Sequence, residues 1–155
     1  MAAEQHGSVL DGDPLQAVWF NWIHPERGHL RWADALDFFR QRAHCLLVPA
    51  GYVHLHIDEA TRYKREQVRE TIRGHSADQF RDKWARYAQF TAPQTALFSA
   101  MQHTYPNWVV SIQAAEIEST VDKILNLRWA DPPAAADLMD WLQYWLNHHH
   151  AAEFQ

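Results

Sequence analysis

The sequence predicts a mainly α protein, with an α+β class as the alternative, folded as a single compact domain of five to six helices. Its 155 residues suit one domain, and 47% of them are hydrophobic, including eight Trp and seven Phe. Apolar residues recur at three- and four-residue steps over most of the chain, which is typical of helices with one buried face. We assign residues 1–14 to a flexible lead, 15–150 to the domain and 151–155 to a tail.

The first half of the chain contains one ambiguous segment and one clear helix. Residues 15–23 are dense in aromatics and fit either a strand or a short buried helix, because so short a run has no decisive period. Residues 31–46 repeat apolar side chains on one helical face until Pro49 and Gly51 end the pattern. The lone Cys excludes an intramolecular disulfide, and Cys45 beside two Leu residues is expected to be a buried, inert thiol.

Residues 52–57 alternate with period two and predict a strand. Val53, Leu55 and Ile57 are expected to face the core, leaving Tyr52, His54 and His56 to face outward. With the Pro-Ala-Gly turn before it, this segment favours a short β-hairpin or small antiparallel sheet near residues 15–23 and 46–57. A hairpin alone is marginally stable, so 15–23 is the candidate for a further strand.

Capping signals divide the next part of the chain into helices. Asp58 is a candidate N-cap for a polar helix that stops at Gly74. Ser76 and Gln79 have the spacing of a capping box that opens another helix. The Thr-Ala-Pro-Gln run at 91–94 has the form of a further cap and predicts a separate helix after it.

The last third of the chain predicts two more helices. Asn107 can cap a segment that extends to residue 125, although its β-prone start at 108–112 fits a strand equally well. The buried face of that segment is predicted to include Ile117, Val121, Ile124 and Leu125. Residues 135–149 carry the most regular apolar stripe of the chain.

His54 and His56 are the main candidates for chemistry. In an extended strand both side chains project to one side, with their Cα atoms roughly 6.5–7 Å apart, so two imidazoles could reach one divalent metal. Asp58 and Glu59 follow directly and could complete the ligand set. The alternative is a polar strand face that binds no metal. The cofactor is therefore either none or a divalent metal ion.

Two family resemblances attach to this motif. Residues 49–56, Pro-Ala-Gly-Tyr-Val-His-Leu-His, look like the first metal-binding motif of cupins, but the helical signals after residue 58 leave no room for a cupin β-barrel. The triplet His54-Leu-His56 also looks like the His-hydrophobe-His strand of rolling-circle replication and transposition nucleases. That resemblance implies a metal held by both His and a Tyr nucleophile, but the Tyr-x-x-Lys type of motif is missing here.

Charge and surplus aromatics mark two candidate partner surfaces. Residues 62–86 hold eight basic and four acidic side chains, whereas the whole chain has a net charge of −5. Such a basic segment can face an acidic or phosphate-rich partner, or can be a solvated helix pair with internal ion pairs. The candidate partner-binding residues are Arg62, Arg65, Arg69, Arg73, Trp141 and Tyr144.

The sequence favours a small soluble binding or regulatory protein that acts through protein contacts. Neither a secretory signal nor a membrane-spanning run is visible, so a cytoplasmic protein without membrane contact is expected. Nucleic acid is a second candidate partner through 62–86, and a homo-oligomer is compatible with the pattern. The alternative function is a divalent-metal-dependent enzyme built on His54 and His56, of a phosphodiester-cleaving kind. Whether the chain is an enzyme stays open at this point.

Overall fold

The computed structural model describes residues 13–27, 30–46, 48–114 and 116–154. These residues form six α-helices, one 3-10 helix and two short strands, which confirms the mainly α class. The elements in chain order are α1 (Gln16–Ile23), α2 (Trp32–Gln41), β1 (Tyr52–His56), α3 (Glu59–Ile72), α4 (Ala77–Thr104), β2 (Val109–Gln113), α5 (Ile117–Leu125), α6 (Ala135–His148) and the 3-10 helix (Ala151–Phe154).

The core lies where α1, α2, α4 and α6 meet. Its buried side chains extend along the chain from Leu15 to Ala151, so the first and last helices belong to one cluster. The rings of Trp22 and Trp145 pack 5.3 Å apart, and the Trp22 indole N–H donates to the His149 carbonyl at 3.0 Å. Large aromatic side chains bury extensive apolar area, which explains how a chain of this length holds its helices without a disulfide.

The two strands form a parallel pair, so the predicted antiparallel sheet is wrong. Residues 15–23 contain helix α1, in which Val18, Trp19, Trp22 and Ile23 are buried at helical spacing. Leu46 and Val48 join neither strand. β1 pairs instead with β2, in a register that sets His54 opposite Ser111. The strand alternative for 108–112 is therefore correct, within one residue.

The sheet is fixed at its start by Trp108. This side chain is only 1% exposed, and its indole N–H donates to the Pro49 carbonyl at 2.8 Å. The Tyr52 amide donates to the Trp108 carbonyl at 2.7 Å, which extends the ladder by one bond. Asn107, predicted as a helix cap, instead occupies the left-handed region with φ 64°, a conformation that Asn tolerates in turns.

Helix α4 is one 28-residue helix, so the predicted break at 91–94 is wrong. The Ser76 and Gln79 capping box is present at its start, as predicted. Pro93 lies inside the helix, where it removes one backbone donor. The Thr91 hydroxyl, read as a cap in the sequence, donates to the Tyr87 carbonyl at 3.0 Å within the same helix.

Two further burial predictions are wrong. Cys45 follows α2 in a turn and is exposed. Helix α5 is short and separated from β2, and its apolar residues Ile117, Val121 and Leu125 are 78%, 45% and 76% exposed. The predicted caps at the ends of α3 are correct, because Asp58 accepts from the Thr61 amide and Gly74 has φ 76°.

Residues 1–12 of the predicted lead lie outside the described part of the chain. Asp13, the first residue inside it, accepts from the Leu15 amide at 2.7 Å and also bonds the Trp19 indole and the Tyr52 hydroxyl. Burial raises the pKa of its carboxyl. The predicted tail contains the 3-10 helix, where Phe154 packs 6.0 Å from Trp145.

Gly51 precedes β1 at a point where the ring of Trp129 crosses the backbone. A Cβ at this position would overlap that ring. We expect Gly51→Ala to destabilise the fold by about 1–3 kcal/mol through overpacking, measured by urea unfolding. In a Trp129→Ala background the same substitution should cost much less, because the ring is gone. An equal cost in both backgrounds would contradict the contact.

Candidate functional site

The histidine face of β1 is turned inward, opposite to the sequence prediction. The His54 imidazole stacks on the Phe98 ring of α4, with 4.6 Å between centroids and 8° between planes. Tyr52, two residues earlier on the same face, packs 5.7 Å from the same ring. Leu55, predicted to face the core, is 49% exposed. Helix α4 therefore covers the strand face that carries His54.

A groove lies between β1, the start of α3 and the middle of α4, and we call it the β1–α4 groove. It consists of two adjoining cavities of about 390 Å³ and 570 Å³. Both cavities share the lining residues Ile57, Arg62, Thr91 and Thr95. The smaller cavity is the more polar of the two and adds His54, Leu55, His56, Gln94, Ser99 and Ser111. The larger one is mainly apolar and adds Glu59, Trp84, Tyr87, Ala92, Ala96 and Phe154.

Arg62 stands where the two cavities meet. Its guanidinium donates to the Thr91 hydroxyl at 2.8 Å and lies 5.9 Å from the centre of the Tyr87 ring. Within the described ranges it forms no ion pair with a carboxylate. A guanidinium has five N–H donors, so this half-buried group retains donors for an incoming acceptor. The groove thus contains a fixed positive charge beside an aromatic wall.

His54 is a neutral imidazole at pH 7. Burial, together with the nearby His56 and Arg62, lowers its pKa to about 4. The Ser111 hydroxyl lies 3.4 Å from its Nδ1, which gives the pair the outline of a nucleophile and base. A general base works best with a pKa near the working pH, and this imidazole is far too weak a base for that role. It is suited to hydrogen bonding.

The four predicted metal ligands do not converge. The Asp58 carboxylate caps α3 by accepting from the Thr61 amide at 2.9 Å, and this bond lowers its pKa. Glu59 lies on the wall of the larger cavity, while His54 and His56 line the smaller one. Among the residues with described positions, no three His, Cys, Asp or Glu side chains are grouped as a metal site would require.

Among the described residues, four of the eight basic side chains of 62–86 pair with carboxylates of the same stretch. Arg69 pairs with Glu66 at 2.9 Å, and Arg73 pairs with Glu70 at 3.0 Å. Glu70, only 1% exposed, also accepts from Lys83 at 2.5 Å and bonds His75. Of the predicted arginines, Arg62 alone lines the groove, whereas Arg65 points to solvent elsewhere on α3. Arg69, Arg73 and Lys83 thus share the carboxylates of Glu66 and Glu70, and Lys83 joins α4 to α3.

The aromatic candidates on α6 lie away from the groove lining. Trp141 is half-buried and packs edge-on against Tyr105 at 5.9 Å. Tyr144 is 65% exposed and packs against His148 at 4.2 Å. Trp141 therefore extends the core, and Tyr144 remains a surface side chain.

The sequence prediction missed the α4 side of the groove. Thr91, Thr95 and Ser99 recur every four residues, which places three hydroxyls on one face of the helix. Gln94 and, from β2, Ser111 complete the polar lining. This four-residue spacing could have predicted a polar helix face, but the predicted helix break at 91–94 assigned Thr91 to a cap.

Comparison with known proteins provides no functional information, so the function is inferred from the geometry of the groove. No family model, no curated protein and no solved structure matches the chain. No helix in the described part of the chain is long and apolar enough to cross a membrane.

The lowered pKa of His54 predicts a pH dependence of stability. The unfolded state takes up this proton below about pH 6.5, whereas the folded state takes it up only near pH 4. Stability should therefore decline as pH falls from 6.5 to 4 and, for this group, level off below 4. Proton NMR titration of the folded protein should give a midpoint near 4 for His54. A midpoint near the ordinary value would contradict the buried placement.

Glu70 predicts a second pH range, more acidic than that of His54, in which the stability of the fold declines. Its hydrogen bonds to Lys83 and His75 lower the pKa of its carboxyl to about 2. The stabilisation is present above the ordinary value of 4.5 and is lost as pH falls towards 2. We expect Glu70→Gln to lower the urea midpoint at pH 7 and to reduce the acid sensitivity. Asp78→Asn, which alters an exposed ion pair, is the control. It should change the urea midpoint and the acid sensitivity little.

Proposed function

We propose that this protein is a binding protein that receives an acidic segment of a protein partner in the β1–α4 groove. The observation that carries the proposal is Arg62, a half-buried guanidinium without a carboxylate partner among the described residues. Arg residues in such positions are over-represented where a carboxylate or phosphate is recognised, because their planar donor fork fits two acceptor oxygens.

The rest of the groove supports the same assignment. The hydroxyls of Thr91, Thr95 and Ser99, with Gln94, offer hydrogen bonds to a peptide backbone or a polar side chain. Trp84 and Tyr87 supply a flat apolar wall on the other side of Arg62. Binding energy in protein interfaces concentrates in such combinations of Arg and aromatic side chains.

Catalysis is less well supported than binding. His54 is too weak a base to activate Ser111 at neutral pH, as its pKa near 4 indicates. Among the described residues that line the groove, no other nucleophile is paired with a base. Hydrogen-bonding groups around a guanidinium that forms no ion pair with a described carboxylate are an arrangement suited to recognition.

The proposal predicts charge-selective peptide binding. Short synthetic peptides with a central Glu between apolar residues should bind more tightly than the same peptides with Gln, measured by fluorescence anisotropy. Arg62→Met keeps much of the side-chain volume but removes the charge, and should weaken binding of the Glu peptides by about tenfold or more.

The matched control is Arg86→Met. Arg86 is an exposed arginine of α4 whose Nε donates to the Asp82 carbonyl, and it does not line the groove. This variant should bind the Glu peptides like the wild type. Absence of any preference for Glu over Gln, or a preference that survives Arg62→Met, would reject the groove as an acidic-peptide site.

A second candidate function, a metal-dependent enzyme, rests on His54 and His56. Their rings lie 6.1 Å apart in the polar cavity, and the His54 ring is uncharged at pH 7, as a metal ligand must be. A third ligand would have to come from the substrate or from water. Untagged protein should then retain near-stoichiometric metal that the double substitution His54→Ala and His56→Ala removes. Metal-free protein with unchanged stability would rule this function out.

A further inference from the structure

Helix α5 presents an apolar stripe to solvent. Ile117, Val121 and Leu125 recur every four residues and therefore share one face of the helix. Two of them are more than three-quarters exposed, and the one buried residue of the helix is Thr120. Glu118 and Asp122 lie along one edge of this stripe. They are four residues apart, so they share a side of the helix, and Asp122 is a neighbour of Leu125, three residues later. The stripe is thus bordered by negative charge.

Helix α3 presents a second apolar strip with the opposite border. Val68 and Ile72 are 60% and 81% exposed, on the side of α3 away from the Glu70 network. Arg65 precedes them by three and seven residues and so lies on the same face. Arg69 lies beside them with its side chain 58% exposed, but it is paired with Glu66, so Arg65 supplies the positive charge of this border. This strip is bordered by positive charge.

The α5 stripe and the α3 strip are complementary in apolar surface and in charge. Each offers large aliphatic side chains that water hydrates poorly, and exposed groups of this kind mark interaction sites. The acidic border of one matches the basic border of the other, which favours the encounter and fixes the orientation. A membrane surface fits α5 poorly, because helices that lie on membranes carry Lys and Arg on their polar face, and α5 carries more acid than base.

We propose that α5 of one copy of this chain packs on the Val68–Ile72 strip of α3 in a second copy. Each copy carries both surfaces, so the contact can be made twice in a closed dimer or repeated along a chain of copies. The contact is separate from the β1–α4 groove, because neither strip contributes a lining residue to it.

The first test is self-association measured by sedimentation equilibrium over a range of protein concentrations. The wild type should show a concentration-dependent increase in mass. Leu125→Asp should weaken the association by about tenfold or more, since it places a charge in the apolar contact. Phe38→Asp is the control, because Phe38 is 51% exposed on α2, outside both strips, and it should associate like the wild type.

A charge exchange tests whether α5 meets α3 rather than another surface. Arg65→Glu and Asp122→Lys should each weaken association, since each sets like charges against each other. The protein that carries both substitutions should regain most of the lost affinity. Circular dichroism and urea unfolding of every variant will show that the monomer fold is kept.

Three outcomes would overturn the proposal. A mass that stays monomeric at all concentrations would show that the strips meet no second copy. Association that Leu125→Asp leaves unchanged would place the contact elsewhere. Single charge variants that weaken association without recovery in the double variant would exclude the α3 strip as the partner of α5.

Discussion

The parallel pairing of Tyr52–His56 with Val109–Gln113 is the constraint on which the candidate site depends. Parallel strands cannot be joined by a tight turn, so the chain must cross over between them, and here α3 and α4 form that crossover. Helix α4 then lies against one face of the sheet. That face carries His54, which is how a polar strand residue comes to stack on Phe98 in place of facing solvent.

The same arrangement determines the character of the groove. Partial burial of His54 under α4, together with the nearby His56 and Arg62, lowers its pKa to about 4, so the imidazole is uncharged at pH 7. Arg62 adds to that effect and is itself held by Thr91 on α4. The groove therefore combines the guanidinium of Arg62 with the hydroxyl and amide groups of the smaller cavity, and Glu59 lies on the wall of the larger one. This combination favours recognition of an acidic group over acid–base catalysis.

Local signals in the sequence predicted local structure well. The Asp58 cap, the Gly74 stop and the capping box of Ser76 depend on a few neighbouring residues, and each is present. The strand at 52–57 was likewise readable from its alternation. The partner of that strand was not, because pairing across more than fifty residues leaves no mark in a short window. Pro93 gave a misleading signal, since α4 continues as one helix across it.

The site was predictable only in part, because it too depends on contacts between segments that are far apart in the sequence. His54 and Arg62 were both identified from the sequence, but in separate roles, as a metal ligand and as part of a basic surface. Their meeting in one groove follows from the crossover, which no single segment encodes. The inward face of β1 could not be chosen by alternation alone, because both faces carry residues that can be buried.

The central claim is that the histidine face of β1 packs against α4, and NMR tests it most directly. Cross-relaxation between the ring protons of His54 and Phe98 should be observed, with the His54 ring signals shifted upfield by the stacked phenyl ring. A His54 ring with no such contact and with the chemical shifts of a solvated histidine would contradict the account, since β1 would then face the other way and the groove would lose its polar wall.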